Sequence, residues 1–195
     1  MSRRGILFVL SGPSGVGKGT IRENLLADRN DIQVSISATT RTPRIDELDG
    51  VDYFFMDKAS FLLKQSRGEF LESATVYSNM YGTPRDFVES NLLKGRDVLL
   101  EIDIQGAMQV KEKMPEGVFI FISPPTVDDL LSRLCKRGKD SVESIEERMA
   151  SCRQEMSYMS DYDYVVINDD LDEAVKKVEA IIIAERCKTR NINLE

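Results

Sequence analysis

The feature that most constrains this chain lies near its start. An unbroken apolar run, residues 5–11 (GILFVLS), stops at Gly12-Pro13-Ser14-Gly15-Val16-Gly17-Lys18, and a helix-forming stretch follows to about residue 28. A continuous apolar run reads as a strand buried on both faces, as in a parallel sheet. The segment after it fits the GxxxxGK part of the phosphate-loop pattern. Its glycines let the backbone curl with N–H groups turned inward on an anion, the next helix adds the positive end of its dipole, and Lys18 adds a point charge for the β and γ phosphates. A glycine-rich turn with no ligand is the alternative, but the strand before and the helix after are the context the motif needs. The pattern departs at one position. Gly19 stands where Ser or Thr is usual, and Thr20 comes next, so Thr20 is the candidate hydroxyl for Mg²⁺.

The rest of the chain divides into three parts. Residues 36–90 read as a small α+β insert, with short strands at 34–37, 52–56 and 69–76. Asp57 caps a helix ended by Gly68, and a second helix begins at Thr83-Pro84 and ends before Gly95. Apolar runs at 97–102 and 118–122 then resume the strand pattern, with helices at 105–114 and from Thr126 to about 137. A long charged helix over 141–159, a strand at 164–167 and a helix at 171–187 complete the chain. Buried strands alternating with helices predict an α/β fold, a three-layer αβα core with a mostly parallel sheet. The core is expected from 1–35 and 91–195, with a helical lid near 137–150.

Composition narrows the chemistry. The chain has 195 residues, a net charge of −7, three cysteines and no histidine. Cys135, Cys152 and Cys187 lack CxxC spacing, which argues against a structural zinc site or a Cys-His nucleophile and suits a reducing compartment. The acidic balance argues against nucleic-acid binding. No apolar stretch approaches the ~20 residues of a membrane helix, and a cytoplasmic protein is expected.

From residue 37 the sequence resembles the guanylate kinases. The resemblance is carried by Ser37-Ala38-Thr39-Thr40-Arg41-Thr42-Pro43-Arg44, Gly50-Val51-Asp52-Tyr53, Glu69-Phe70-Leu71-Glu72, Tyr81-Gly82-Thr83 and Glu101-Ile102-Asp103-Ile104-Gln105-Gly106. Arg133, Arg137-Gly138, Arg148 and Asn168-Asp169-Asp170 follow in the same order. Together they span nearly the whole chain, from about residue 5 to 184. The resemblance implies transfer of the γ-phosphoryl of Mg-ATP to GMP, with dGMP left open as a second acceptor. It implies that Arg41, Arg44, Tyr53 and Tyr81 hold the acceptor phosphate and that Ser37, Glu72 and Thr83 surround the guanine. Glu101 and Asp103 match two acidic positions on the acceptor side. Residues 12–20, Arg133, Arg137 and Asn168 match the ATP site, with Arg137 and Arg148 aimed at the phosphoryl group from the lid. Lys18, Arg41, Arg137, Arg148 and Asp103 are the expected catalytic set. Ala38, Thr83, Glu101 and Gly19 depart from the commonest residues of the family.

The residue chemistry agrees with these roles. Two guanidinium forks and two phenols suit a doubly charged phosphate. A carboxylate at 72 can accept from guanine N1–H and its exocyclic amine, a donor pair adenine lacks. Taken singly, each residue has a structural alternative: solvated loop arginines, core tyrosines, lid arginines paired with Asp140, Glu143, Glu146 and Glu147. Three other functions are weaker readings. A kinase of AMP, dTMP or a phosphorylated sugar would not need Glu72, Ser37 and Thr83 together. A non-catalytic peptide-binding module would not need Gly17-Lys18, and a GTPase would carry an NKxD segment, which is missing.

Overall fold

The computed structural model describes residues 3–27, 29–76, 78–126, 128–130 and 154–191. Among the described residues, nine strands form two sheets. The larger has five strands, all parallel: β1 (Leu7–Ser11) lies at its centre between β7 (Asp97–Glu101) and β8 (Val118–Ser123). Strand β2 (Ile32–Val34) forms one edge beside β7, and β9 (Tyr164–Ile167) the other beside β8.

Alternation along the central strands divides the core between two faces. Phe8, Leu10, Leu99, Ile120 and Ile122 pack against Ile21 and Leu25 of α1 (Lys18–Leu26) and Ala174, Val178 and Ile182 of α5 (Leu171–Arg186). Leu7, Val9, Leu100, Phe119 and Phe121 face the other way. They meet Val88 and Leu92 of α3 (Arg85–Leu93) and Ala107 and Val110 of α4 (Ile104–Lys113). Apolar side chains on both faces are why these strands read as unbroken apolar runs. The result is the predicted three-layer α/β core. At the start of β7 the fully buried Asp97 accepts from Arg3 at 2.6 and 2.9 Å, from Arg186 Nε at 2.7 Å and from the Ile6 N–H at 2.8 Å. Segments near both ends of the described chain are thereby tied to the centre of the sheet.

The second sheet has the order β4-β3-β6-β5, formed by Phe54–Phe55, Ala38–Thr39, Asn79–Pro84 and Phe70–Val76. Its own small core is Ala38, Phe61 of α2 (Lys58–Ser66) and Phe70. Helix α4 joins it to the larger sheet. Lys113 Nζ donates to Phe70 O, and the Gln109 side chain bonds both backbone groups of Ser73.

Several predicted boundaries shift. Thr83 and Pro84 do not begin a helix; they end β6, and Pro84 is the cap residue of α3. Strand β6 was not expected from its sequence, NMYGTP, because its turn-forming residues carry little strand propensity. Antiparallel pairing with β5 and β3 supplies what local preference lacks. The first edge strand lies at Ile32–Val34 rather than 34–37, and the strand predicted over 52–56 shortens to Phe54–Phe55. The predicted helix over 141–159 lies mostly outside the described residues; its last part ends in a 3-10 turn, Tyr158–Asp161.

Candidate active site

The phosphate loop joins the C-terminal end of the central strand to the N-terminus of α1, where α/β sheets bind ligands. Gly12, Gly15 and Gly17 all have positive φ, at 142°, 83° and 98°. At Gly12 a Cβ would also lie 2.2 Å from the Ile122 carbonyl oxygen, so no other residue fits without moving β8. Lys18 Nζ donates to Gly12 O at 2.6 Å and Pro13 O at 3.1 Å, which lays the ammonium across the loop. Burial lowers the Lys18 pKa from its ordinary value, opposed by the charges of Glu101, Glu155 and Asp103. Ser14, Gly15, Gly17, Lys18, Gly19 and Thr20 line one cavity of about 320 Å³ with Glu23 and Glu101. Thr20 and Glu101 give this cavity hard oxygen donors. That set suits a cation such as Mg²⁺, which keeps most of its waters and takes its other oxygens from phosphates.

Asn168 sits behind the loop rather than at its mouth. Its side-chain amide donates to Val16 O at 2.8 Å, and its backbone N–H to Ser123 O at 2.8 Å. With 6% exposure it braces the phosphate loop against β8. The resemblance implies a place near the adenine; what the structure gives Asn168 is a supporting contact to the backbone of the loop.

A second, larger cavity of about 550 Å³ opens between the two sheets. Its walls include Arg22, Ser35, Ser37, Asp52, Tyr53 and Glu101. Glu101 belongs to both cavities. Deeper in the smaller sheet, Arg41 lies 5.4 Å from the Tyr53 ring centroid, and the Tyr53 and Tyr81 rings are 6.1 Å apart, edge to face. Three of the four predicted phosphate ligands are therefore clustered. The fourth, Arg44, has an exposed side chain, and its backbone N–H bonds Glu47 at 2.8 Å.

Glu47 is the residue that sequence reasoning missed here. It grips Arg41 with both oxygens, at 2.7 and 2.9 Å. Arg41 chiefly, and the Arg44 N–H next, hold the Glu47 carboxyl at about 2. The Arg41 pKa rises, first because of Glu47 and also through Tyr81. A two-oxygen anion thus already occupies the Arg41 fork, the one the resemblance assigns to a phosphate. The signal in the sequence was one of several loop acids, next to Asp46 and three residues after Arg44, indistinguishable from its neighbours until the chain folds.

Of the three residues expected around the guanine, Glu72 and Thr83 meet, while Ser37 lies on the wall of the larger cavity. Thr83 Oγ1 donates to Glu72 Oε1 at 2.7 Å, with Thr83 1% and Glu72 7% exposed. Tyr81 and Thr83 are two apart on β6 and so share a face. Burial pushes the Glu72 pKa up, partly offset by the Thr83 bond. Asp103 caps α4, accepting from the Gly106 N–H at 2.7 Å. Gly106 is the second residue that was missed as functional. A Cβ there would lie 3.2 Å from Glu72 Oε2 and 3.3 Å from Asp103 Oδ1. Its missing side chain leaves room for both carboxylates, and a glycine inside a helix, which costs about 1 kcal/mol against alanine, is the sequence signal. Arg133, Arg137 and Arg148 lie outside the described residues.

Comparisons with known proteins agree with this geometry. The family model described as guanylate kinase matches residues 4–185. The chain is 59% identical over 194 residues to the guanylate kinase of Syntrophomonas wolfei, covering 100% of both proteins. It is 54% identical to that of Caldanaerobacter subterraneus subsp. tengcongensis, covering 100% of this chain and 95% of that one. The crystal structure of guanylate kinase from Anaplasma phagocytophilum superimposes with a TM-score of 0.75 at 38% identity, covering 97% of this chain and 90% of the other. A family-model match over residues 4–185, and relatives more than half identical over nearly the whole of both chains, show that the chain belongs to the guanylate kinase family.

Proposed function

We propose that the two cavities divide the family's reaction, ATP + GMP giving ADP + GDP, between a donor cradle at residues 12–20 and an acceptor site on the smaller sheet. The observation that carries this is the position of Glu101, which lines both cavities, so donor and acceptor meet at the end of β7. Arg41, Arg44, Tyr53 and Tyr81 bind the GMP phosphate. Ser37, Glu72 and Thr83 read the guanine. For this to happen Arg41 exchanges the Glu47 carboxylate for the incoming phosphate, an anion of similar bite and greater charge.

The acceptor oxygen is already anionic, so the chain needs no strong general base, and its lack of histidine is no obstacle. Catalysis is placement and charge neutralisation. Lys18 moves from the loop carbonyls to the transferring phosphoryl group. Asp103, held by the Gly106 N–H, orients waters at the acceptor side, and Arg137 and Arg148 complete the cation set from the lid. Arg133 and Asn168 belong to the ATP side. Mg²⁺, carried in with ATP, supplies further positive charge, and Thr20 with Glu101 are the residues that would hold it. Residues 36–90 and the lid close on the core to exclude water, which would otherwise take the phosphoryl group.

No helix among the described residues is long and apolar enough to cross a membrane. Cys187 is free and exposed, which suits a cytoplasmic setting. The test is a coupled assay for ADP with ATP and each nucleoside monophosphate. A buried polar mismatch of the kind adenine would make at Glu72 discriminates by several decades. GMP should therefore be turned over far better than AMP or dTMP; equal use of AMP would overturn the acceptor assignment.

A further inference from the structure

At the end of the larger sheet opposite the phosphate loop lies a cavity of about 270 Å³ that phosphoryl transfer does not use. Its apolar lining is Ile6 and Leu7 at the entry to β1, Leu92 in the last turn of α3 and Met114 just past α4, all buried. Arg4, Arg190 and Glu116 add charge to the same wall. The backbone of Arg4 is fixed on both sides. Arg3 before it bonds Asp97, and the Gly5 N–H after it donates to Leu92 O at 2.8 Å. Gly5 runs so close to Arg96 that a Cβ there would lie 1.9 Å from the Arg96 carbonyl oxygen. The Arg4 side chain itself is exposed and has no hydrogen bond or ion pair among the described residues. Arg190 meets Glu185 at 3.6 Å, but that carboxylate already holds Lys188 at 2.6 Å and the Tyr164 hydroxyl. Glu116, on the turn between α4 and β8, is also unpaired among the described residues.

Cations and an anion thus line one cavity without pairing across it. A simple anion would be opposed by Glu116, and a purely apolar guest would leave all three charges unmatched. We infer that the cavity binds a zwitterion with an apolar side chain, a free α-amino acid of about leucine's size. Arg4 and Arg190 take its carboxylate, for which guanidinium forks are suited. Glu116 takes its ammonium, and the apolar side chains cover its body, the usual division of labour in a small-molecule site. The size agrees. The cavity holds about nine groups of water's ~30 Å³, close to the number of non-hydrogen atoms in leucine. The site shares no residue with the two nucleotide cavities and stands independently of the roles proposed for them.

The test is binding of L-leucine, N-acetyl-L-leucine and L-leucinamide to the wild type, E116Q and R4A/R190A, followed by NMR titration and thermal melts. A ligand this small in an open pocket binds with a Kd of about 1 mM. At ten times that Kd, leucine should raise the wild-type Tm by about 3 °C. Masking the ammonium or the carboxylate should each weaken binding about fivefold, the loss of a partly exposed charged contact. E116Q should erase leucine's advantage over its N-acetyl form and keep its advantage over the amide. R4A/R190A should do the reverse. ATP and GMP turnover should be unchanged in both variants, since neither cavity of the reaction is touched. The inference is overturned if leucine does not bind the wild type at ~20 mM, well above the expected Kd. It is overturned equally if the N-acetyl form or the amide binds the wild type as well as leucine does, if the variants leave these preferences unmoved, or if either variant loses turnover.

Discussion

Replacing Glu72 with glutamine separates what the acceptor site does from what it costs the fold. Glu72 is 7% exposed and bonded to Thr83 Oγ1 at 2.7 Å. The amide oxygen introduced by Glu72→Gln can keep the Thr83 bond, so the packing survives. What is lost is the carboxylate's acceptance from two guanine donors. A hydrogen bond to a charged group is worth about 1.5–3 kcal/mol, and an amide nitrogen set against a donor adds an unpaired group. A net loss of about 3 kcal/mol is about two decades in kcat/KM for GMP, at ~1.4 kcal/mol per decade. The free enzyme should respond in the opposite sense. Burial holds the Glu72 pKa above its ordinary 4.5, so the folded state resists ionising it. Below that value the carboxyl is neutral in folded and unfolded chains, and E72Q should melt with the wild type. As pH rises past 4.5 the unfolded chain releases the proton first, so the wild type loses stability through this group while E72Q does not. The Tm of E72Q minus that of the wild type should therefore grow from about pH 4 upward and then level off once folded Glu72 has ionised. Steady-state kinetics with GMP varied, ATP binding by calorimetry and melts across the acid-to-neutral range test this. A fall in GMP kcat/KM below about fivefold, or an equal loss of ATP affinity, would refute the placement of Glu72.

Other consequences follow from the same contacts. Lys18→Ala should depress kcat by about two or more decades with GMP affinity retained; near-normal turnover would remove Lys18 from the reaction. Asp97→Ala leaves Arg3 and Arg186 facing each other without their shared carboxylate and should cost about 3 kcal/mol, the low end for a broken buried ion pair because both arginines are partly exposed; a denaturant midpoint unchanged from the wild type would contradict that. Asp31 and Glu47, both held down at about 2 by arginines, contribute stability that is present above their ordinary 3.8 and 4.5 and lost as pH falls toward 2. Acid melts should show the loss in that window, and E47Q should shrink it.

The donor half of the site was legible because it is local. Residues 7–26 carry strand, loop and helix in one continuous segment, and Gly12, Gly15 and Gly17 supply the positive φ values that the turn of the loop requires. The acceptor half was legible only through resemblance. Arg41, Tyr53, Tyr81, Glu72 and Thr83 come from separate segments of the insert, and nothing in their spacing brings them together. β6 illustrates the reason. Its residues do not favour a strand, yet pairing with β5 and β3 makes it one and places Tyr81 and Thr83 on the same face.

By itself, then, the sequence determined the parallel core and the phosphate cradle, because buried strands and a curled glycine loop follow from apolar runs and backbone sterics over short distances. Only the tertiary structure decided that Glu47 holds Arg41, that Gly106 makes room for two carboxylates and that Glu101 faces Gly19. The contacts at Gly106 and Gly19 join segments far apart in the chain, and the grip of Glu47 depends on how its loop folds back. A carboxylate's role depends on which cation, amide or bare glycine the fold sets beside it.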